Sequence, residues 1–224
     1  PHGAAHHERG ALMELSGVFP PVSGEVVIVK YNAGNVRSVT CALHRLGIDP
    51  VLSDDPARIR EADRVIFPGV GEASSAMSYL RSTGLDEVLR SLSQPFLGIC
   101  LGMQLMCTRS EENDTPCLGI FDEEVRRFPP GDKVPHMGWN TLKGPSGALF
   151  RGITEDDYFY FVHSYYAAAG FDTAARCEYI LPFSAALQKR NYYGVQFHPE
   201  KSGMVGERIL ANFLGMDEER AGDE

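Results

Sequence analysis

An apolar run that leads straight into a cysteine between two glycines constrains the fold of this 224-residue chain more than any other feature. The run 95–99 is typical of a strand buried on both faces, and a helical pattern follows Cys100. Gly98 and Gly102 give the backbone and a substrate room at such a strand-to-helix turn. The helix N-terminus favours the thiolate, and the N–H of Leu101 points towards a developing oxyanion. The pattern predicts that Cys100 is a nucleophile.

A histidine and a glutamate near the other end of the sequence are the groups that a cysteine nucleophile requires. His198 can take up the thiol proton and return it to a leaving amine, while Glu200 orients the imidazole. Pro199 favours extended backbone at His198, in which residues i and i+2 share a side. We therefore predict a Cys100-His198-Glu200 triad that attacks an acyl or amide carbonyl. Structural roles and a zinc site are the alternatives, and the lack of a Cys-x-x-Cys pair argues against zinc.

The composition argues against several classes of function. The net charge is −9 and no basic patch occurs, so we expect no nucleic-acid partner. The sequence has no apolar stretch of membrane-spanning length and no secretory signal, so we expect no membrane association. The five cysteines are irregularly spaced, which indicates a reducing, cytoplasmic compartment and structural roles for Cys41, Cys107, Cys117 and Cys177. Nothing predicts a metal or a cofactor.

The order of segments predicts an α/β fold, with a mostly parallel sheet flanked by helices and a strand-rich second half. Strand-like runs at 26–29, 50–52, 64–67 and 95–99 alternate with helical patterns at 35–46, 73–80 and 86–92. Later strand-like runs are clearest at 157–162 and 192–196, and a last helix is expected at 208–214. We assign one domain to residues 26–215, a disordered or vector-derived extension to 1–25 and an acidic tail to 216–224.

Two long motifs closely resemble the signatures of the triad-type, class I glutamine amidotransferases. Residues 96–104, Phe-Leu-Gly-Ile-Cys-Leu-Gly-Met-Gln, are similar to the nucleophile signature of that family, and residues 194–200, Gly-Val-Gln-Phe-His-Pro-Glu, to its His/Glu signature. The resemblance covers residues 26–214. Within the family, Pro-Gly-Val-Gly at 68–71, His-Met-Gly-Trp-Asn at 136–140 and Phe-Val-His-Ser-Tyr at 161–165 resemble the glutaminase subunits of imidazole glycerol phosphate synthase.

One segment departs from the family pattern. Residues 30–35 are Lys-Tyr-Asn-Ala-Gly-Asn, where the family usually has Asp-Tyr-Gly ahead of a Gly-Asn pair. This segment follows the first strand, and we expect it to lie away from the triad and leave catalysis unaffected. We expect this segment to change a contact with a partner instead.

The resemblance implies that glutamine is the substrate. Cys100 would attack its side-chain amide, and water would hydrolyse the resulting γ-glutamyl thioester to glutamate. The implied oxyanion donors are the backbone N–H groups of Leu101 and Val70. We hypothesise that the loop of Val70 and its flanking glycines flips to complete the oxyanion hole when a partner signals. The substrate-binding residues implied are Gly69, Gly71, Gln104 and the backbone of His163, Ser164 and Tyr165.

The resemblance also implies a separate (β/α)₈-barrel cyclase as partner in a heterodimer, because free ammonia would be lost to water. The cyclase would make imidazole glycerol phosphate and an aminoimidazole carboxamide ribonucleotide, in histidine biosynthesis. The interface candidates are Trp139, Asn140, Tyr160 and Lys201. A glutaminase subunit of another synthase, such as that for pyridoxal phosphate, a catalytically silent binding module and a γ-glutamyl hydrolase remain alternatives.

Overall fold

The computed structural model of the chain describes residues 24–216. The predicted extension and the predicted acidic tail lie outside these residues, apart from Gly24, Glu25 and Met216. Met216 is buried in the same apolar cluster as Phe213 and Leu214. The packed core therefore extends to the last described residue.

Helices and strands alternate through the first half of the described chain. In order they are β1 (Val26–Val29), α1 (Val36–Arg45), β2 (Val51–Ser53), α2 (Pro56–Glu61), β3 (Arg64–Gly69), α3 (Ala73–Thr83), α4 (Leu85–Arg90), β4 (Phe96–Cys100) and α5 (Leu101–Leu105). The second half consists of β5 (Arg109–Ser110), β6 (Thr115–Pro116), β7 (Glu124–Arg127), β8 (His136–Thr141), β9 (Tyr158–His163), β10 (Tyr165–Ala167), β11 (Thr173–Tyr179), β12 (Leu181–Lys189), β13 (Tyr192–Val195) and α6 (Gly203–Leu214). Short 3₁₀ helices occur at Ala148–Phe150 and Pro199–Lys201.

The predicted α/β fold with a parallel sheet and flanking helices is confirmed. Strands β2, β1, β3, β4 and β13 lie side by side in that order and run parallel. Apolar residues of α1 and α6 belong to one core cluster, and those of α3 and α4 belong to the other. Because helices cover both faces, every residue of β1, β3, β4 and β13 is buried.

The strand-rich second half is also confirmed. Beyond β13 the large sheet continues through β12, β10 and β7 with antiparallel pairing, and β11 pairs with β12 outside this path. Strands β8 and β9 form a separate two-stranded antiparallel sheet, which we call the ribbon. The ribbon lies next to the large sheet, because the backbone N–H of His198 donates to the carbonyl of Tyr160 in β9 at 3.0 Å.

Two helices differ from the sequence prediction. Helix α6 begins at Gly203, earlier than the predicted residue 208. Helix α2 was not predicted, because its six residues are too few to show an apolar period. Its start nevertheless carries a recognisable signal, since Asp55 accepts the N–H of Ala57 at 3.1 Å and Pro56 is the first helical residue.

The topology brings the carboxyl ends of β4 and β13 to one edge of the sheet. The two strands are parallel neighbours, and Val195 pairs with Ile99. Cys100 is the last residue of β4, and His198 follows β13 after a short connection. Ligands of open α/β sheets bind at the carboxyl ends of the strands. This edge is therefore where the functional site is expected.

Candidate active site

Cys100 lies at the turn from β4 into α5 in a strained backbone conformation. Its φ is 55° and its ψ is −113°, a combination that residues with a side chain rarely adopt. The turn is tight because a Cβ atom on Gly102 would overlap the carbonyl oxygen of Phe67 in β3. Leu101 is the first residue of α5, so its N–H has no partner within the helix. This geometry supports Cys100 as a nucleophile.

His198 and Glu200 are in direct contact beside this turn. The Nδ1 atom of His198 lies 2.6 Å from Oε1 of Glu200, and both side chains are almost completely buried. His198 has the extended backbone that Pro199 favours, with φ −97° and ψ 98°. Glu200, however, lies in the 3₁₀ helix Pro199–Lys201 and not in an extended segment. The expected extended arrangement is therefore wrong, and a 3₁₀ turn brings the carboxylate to the ring.

Among residues 24–216, no hydrogen bond reaches the second ring nitrogen of His198. Nε2 is buried and unpaired among the described residues, as is Oε2 of Glu200. Burial alone lowers the pKa of His198, but its interactions with Cys100 and with the Glu200 carboxylate outweigh burial and raise the pKa well above the usual value. The imidazole is then protonated at neutral pH. In general a cation beside a cysteine sulfur stabilises the thiolate, and thiolate–imidazolium pairs are typical of cysteine nucleophiles that a histidine activates.

Cys100 and His198 line a single cavity of about 270 Å³. Most of the residues predicted to bind substrate or an oxyanion line the same cavity: Val70, Gly71, Leu101, Gln104, His163, Ser164 and Tyr165. The remaining predicted site residues lie just behind this lining. Gly69 pairs with Cys100 across β3 and β4, and Glu200 contacts the far side of the His198 ring.

The side chain of Gln104 is part of a buried amide network. Its Nε2 donates to the carbonyl oxygen of Tyr165 at 2.9 Å and to Oε1 of Gln196 at 2.8 Å. Gln196 in turn has its Nε2 3.6 Å from the sulfur of Cys100. The sequence analysis did not single out Gln196, although it stands two residues before His198. The network fixes the cavity wall at Tyr165 and contacts the nucleophile.

Glu112 is a cavity residue that the sequence analysis missed. It is an acidic residue in the lining, and its Oε1 accepts the N–H of Ala73 at the start of α3 at 2.6 Å. Burial is the main cause that raises the pKa of Glu112 above its usual value. In the sequence it lies in the polar run 111–114, which resembles a solvated surface turn. Only the fold brings this carboxyl group towards Cys100.

The N–H of Val70, predicted as an oxyanion donor, is bonded to another group in this structure. It donates to the carbonyl oxygen of Ala33 at 2.7 Å. In addition, the hydroxyl of Tyr31 donates to the carbonyl of Pro68 at 2.6 Å. The expectation that the segment 30–35 lies away from the site is therefore wrong. β1 and β3 are parallel neighbours, so the loop after β1 meets the end of β3.

The four predicted interface residues lie on or beside the ribbon. Trp139 is 55% exposed and packs edge-on against Tyr160, with ring centroids 5.8 Å apart. Lys201 is exposed at the end of the 3₁₀ helix that carries Glu200. The side chain of Asn140 points the other way, because its Nδ2 donates to the carbonyl of Glu178 at 3.1 Å.

Comparison with known proteins identifies the family. The profile of the family "Glutamine amidotransferase class-I" matches residues 28–216. The chain belongs to this family. Among curated members, a protein of Bacteroides thetaiotaomicron named imidazole glycerol phosphate synthase subunit HisH is 57% identical over 195 residues, which cover 86% of this chain and 100% of that protein. The HisH subunit of Vibrio cholerae is 49% identical over 197 residues, which cover 84% of this chain and 97% of its own.

Solved structures of glutamine amidotransferases share the fold. One described as a glutamine amidotransferase superposes with a TM-score of 0.66 at 22% identity, covering 84% of this chain and 96% of that chain. At this identity the similarity concerns the fold alone. Among residues 24–216, no helix has the length and apolar character needed to cross a membrane.

Proposed function

We propose that Cys100, His198 and Glu200 hydrolyse the side-chain amide of glutamine and that the ammonia passes to a cyclase subunit. The observation that carries this proposal is the single cavity lined by Cys100 and His198 in a class I glutamine amidotransferase. The thiolate attacks the amide carbon, and the C–N bond breaks as His198 gives its proton to the departing ammonia. Water that has lost a proton to His198 then cleaves the thioester, which releases glutamate and restores the thiolate beside a protonated His198.

The oxyanion formed in both steps requires two donors, and the first is the N–H of Leu101 at the start of α5. The second in this proposal is the N–H of Val70, after it has been released from the carbonyl of Ala33. This N–H belongs to the peptide that joins Gly69 to Val70. Because Gly69 has no Cβ and Val70 is 41% exposed, that peptide has the freedom to rotate. The hydrogen bond from Val70 to Ala33 withholds this second donor. We therefore propose that the structure is a low-activity state, and that binding of a partner releases the N–H of Val70.

Glutamine recognition follows from the charges of the cavity lining. The Glu112 carboxylate is suited to the α-ammonium group of the substrate, because an opposite charge stabilises a half-buried carboxylate. We assign the α-carboxylate to the backbone of Ser164 and Tyr165. Gln104 supports this wall through its hydrogen bond to the Tyr165 carbonyl.

The partner in this proposal is a (β/α)₈-barrel cyclase, bound as a heterodimer to the outer face of the ribbon. Met137, Trp139 and Tyr158 expose large apolar side chains on that face. Exposed apolar patches with aromatic residues are typical of docking surfaces. Tyr160 on the same face connects the ribbon to the triad, because its carbonyl accepts the backbone N–H of His198.

The relatives named HisH are subunits of imidazole glycerol phosphate synthase. At such identity over nearly the whole described chain, this protein is the glutaminase subunit of that synthase type, in histidine biosynthesis. We propose that the catalytic domain is 26–215 and that the protein works in the cytoplasm. The cysteines of the described residues, Cys41, Cys100, Cys107, Cys117 and Cys177, are free thiols, which supports a reducing compartment.

Truncation of Trp139 tests the docking face. We expect Trp139→Ala to weaken the complex with the cyclase at least about tenfold, because tryptophan is enriched at interface hot spots, where truncation costs about 2 kcal/mol or more. Glutamate release without the cyclase should not change. Calorimetric titration and glutamate release with and without ligand-loaded cyclase measure both effects. Phe171→Ala is the matched control, since Phe171 is an exposed aromatic residue outside the ribbon. Equal cyclase affinity for Trp139→Ala and the wild type would show that the outer face of the ribbon is not the docking surface.

A further inference from the structure

Two buried histidines form a hydrogen-bonded pair behind the cavity wall. The Nδ1 atom of His163 lies 2.7 Å from the carbonyl oxygen of Tyr165, and its Nε2 lies 3.0 Å from Nδ1 of His136. Both side chains are buried, and only His163 lines the cavity. His136 begins strand β8 and pairs directly with His163 at the end of β9.

The partners of the pair determine where its protons are. A carbonyl oxygen only accepts, so Nδ1 of His163 carries a proton and its Nε2 accepts from Nδ1 of His136. Nε2 of His136 is then an acceptor, and Nδ2 of Asn140 lies 3.4 Å from it. Burial lowers the pKa of His163 to about 3 and that of His136 to about 4, so both rings are neutral at physiological pH.

This chain of hydrogen bonds ends on the cavity wall. The carbonyl of Tyr165 accepts from His163 on one side and from Nε2 of Gln104 on the other. Two donors on one carbonyl fix the orientation of its peptide group. Ser164 and Tyr165, which form this part of the wall, are thereby held in place.

We propose that His136 is a positioning residue for glutamine, acting through His163 to hold the Ser164–Tyr165 wall in its binding geometry. The proposal rests on the proposed function, in which this wall binds the α-carboxylate of the substrate. It also assigns Asn140 a role inside the protein, at the end of the hydrogen-bond chain, instead of at the outer docking face. His136 itself does not line the cavity, so it acts only through its neighbour.

Packing alone does not account for a histidine at this position. The ring of His136 stacks on Tyr179 with centroids 4.1 Å apart and on Phe161 with centroids 5.0 Å apart. A phenylalanine would keep both aromatic contacts but would leave Nε2 of His163 without a donor. An asparagine would lose the stacking but can present an N–H close to the position of Nδ1. The two substitutions separate the hydrogen bond from the packing.

The experiment compares wild type, His136→Phe and His136→Asn, each in complex with ligand-loaded cyclase. For His136→Phe we expect the KM for glutamine to rise about tenfold with kcat within about twofold of wild type, because binding is impaired and the triad is intact. For His136→Asn we expect a KM within about threefold of wild type in spite of a lower Tm. A structural role alone would make KM follow Tm in both variants.

A spectroscopic measurement on the wild-type chain is independent of folding in the variants. Imidazole ¹⁵N NMR should show His136 and His163 neutral, both with the proton on Nδ1, down to about pH 5. A proton on Nε2 of either ring, or a wild-type KM in folded His136→Phe, would overturn the proposal. If wild type releases no Cys100-dependent glutamate, the proposed function fails, while the NMR result still decides whether the histidine pair exists.

Discussion

Replacement of Cys100 with alanine is expected to lower glutamine hydrolysis by at least about 10⁴-fold, which is a typical cost of removing a covalent nucleophile. The fold should remain intact, because alanine removes only the sulfur at a position that already has a Cβ atom. Glutamate release in the presence of ligand-loaded cyclase measures the effect. Circular dichroism and Tm verify the fold.

The matched control for this substitution is Cys41→Ala. Cys41 is an exposed free cysteine in α1 and does not line the cavity. We expect full activity from this variant. Residual glutaminase activity above about one hundredth of wild type in Cys100→Ala would mean that another group attacks glutamine, and the proposed triad would have to be abandoned.

Replacement of His198 with alanine is expected to lower kcat/KM by about 10³- to 10⁴-fold, in the range found for loss of a general acid and base. Two effects combine in this loss. The cation that stabilises the Cys100 thiolate disappears, and ammonia leaves without a proton donor. Alkylation of Cys100 by a small electrophile at pH 7 should therefore also become slower, which glutamate release alone would not reveal.

His44→Ala is the control for this second prediction. His44 is an exposed histidine on α1 and contacts Asp49, 3.2 Å away, so its loss should change neither hydrolysis nor alkylation. An unchanged rate of Cys100 alkylation in His198→Ala would contradict the thiolate–imidazolium pair. Unchanged hydrolysis would remove His198 from the mechanism altogether.

The fold and the triad could be predicted because their signals are local. The apolar run before Cys100, the glycines around it and the His-Pro-Glu triplet each lie within a few residues. The order of strands then brings β4 and β13 together as parallel neighbours. Even so, strand periodicity predicts the wrong backbone for Glu200, because Pro199 both favours extended backbone at His198 and starts a 3₁₀ helix.

The surroundings of the triad could not be predicted because they depend on contacts between distant segments. The carbonyl of Ala33 meets Val70 only because β1 and β3 are adjacent in the sheet. His136 meets His163 only through the register of the ribbon, in which the two residues face each other. A shift of one residue in that register would turn every side chain of the strand to the opposite face. Glu112 lies in a polar run, and nothing in that run predicts that its side chain lines the cavity.

Glutamine hydrolysis by this chain is expected to be coupled to a cyclase. Glutamate release by the wild-type chain, alone and with cyclase and its ribonucleotide ligand, tests it most directly. We predict very little glutamate release by the chain alone, because the N–H of Val70 donates to the carbonyl of Ala33. We predict strong stimulation by the ligand-loaded cyclase, which Cys100→Ala abolishes. High activity alone that the cyclase does not change would contradict the account.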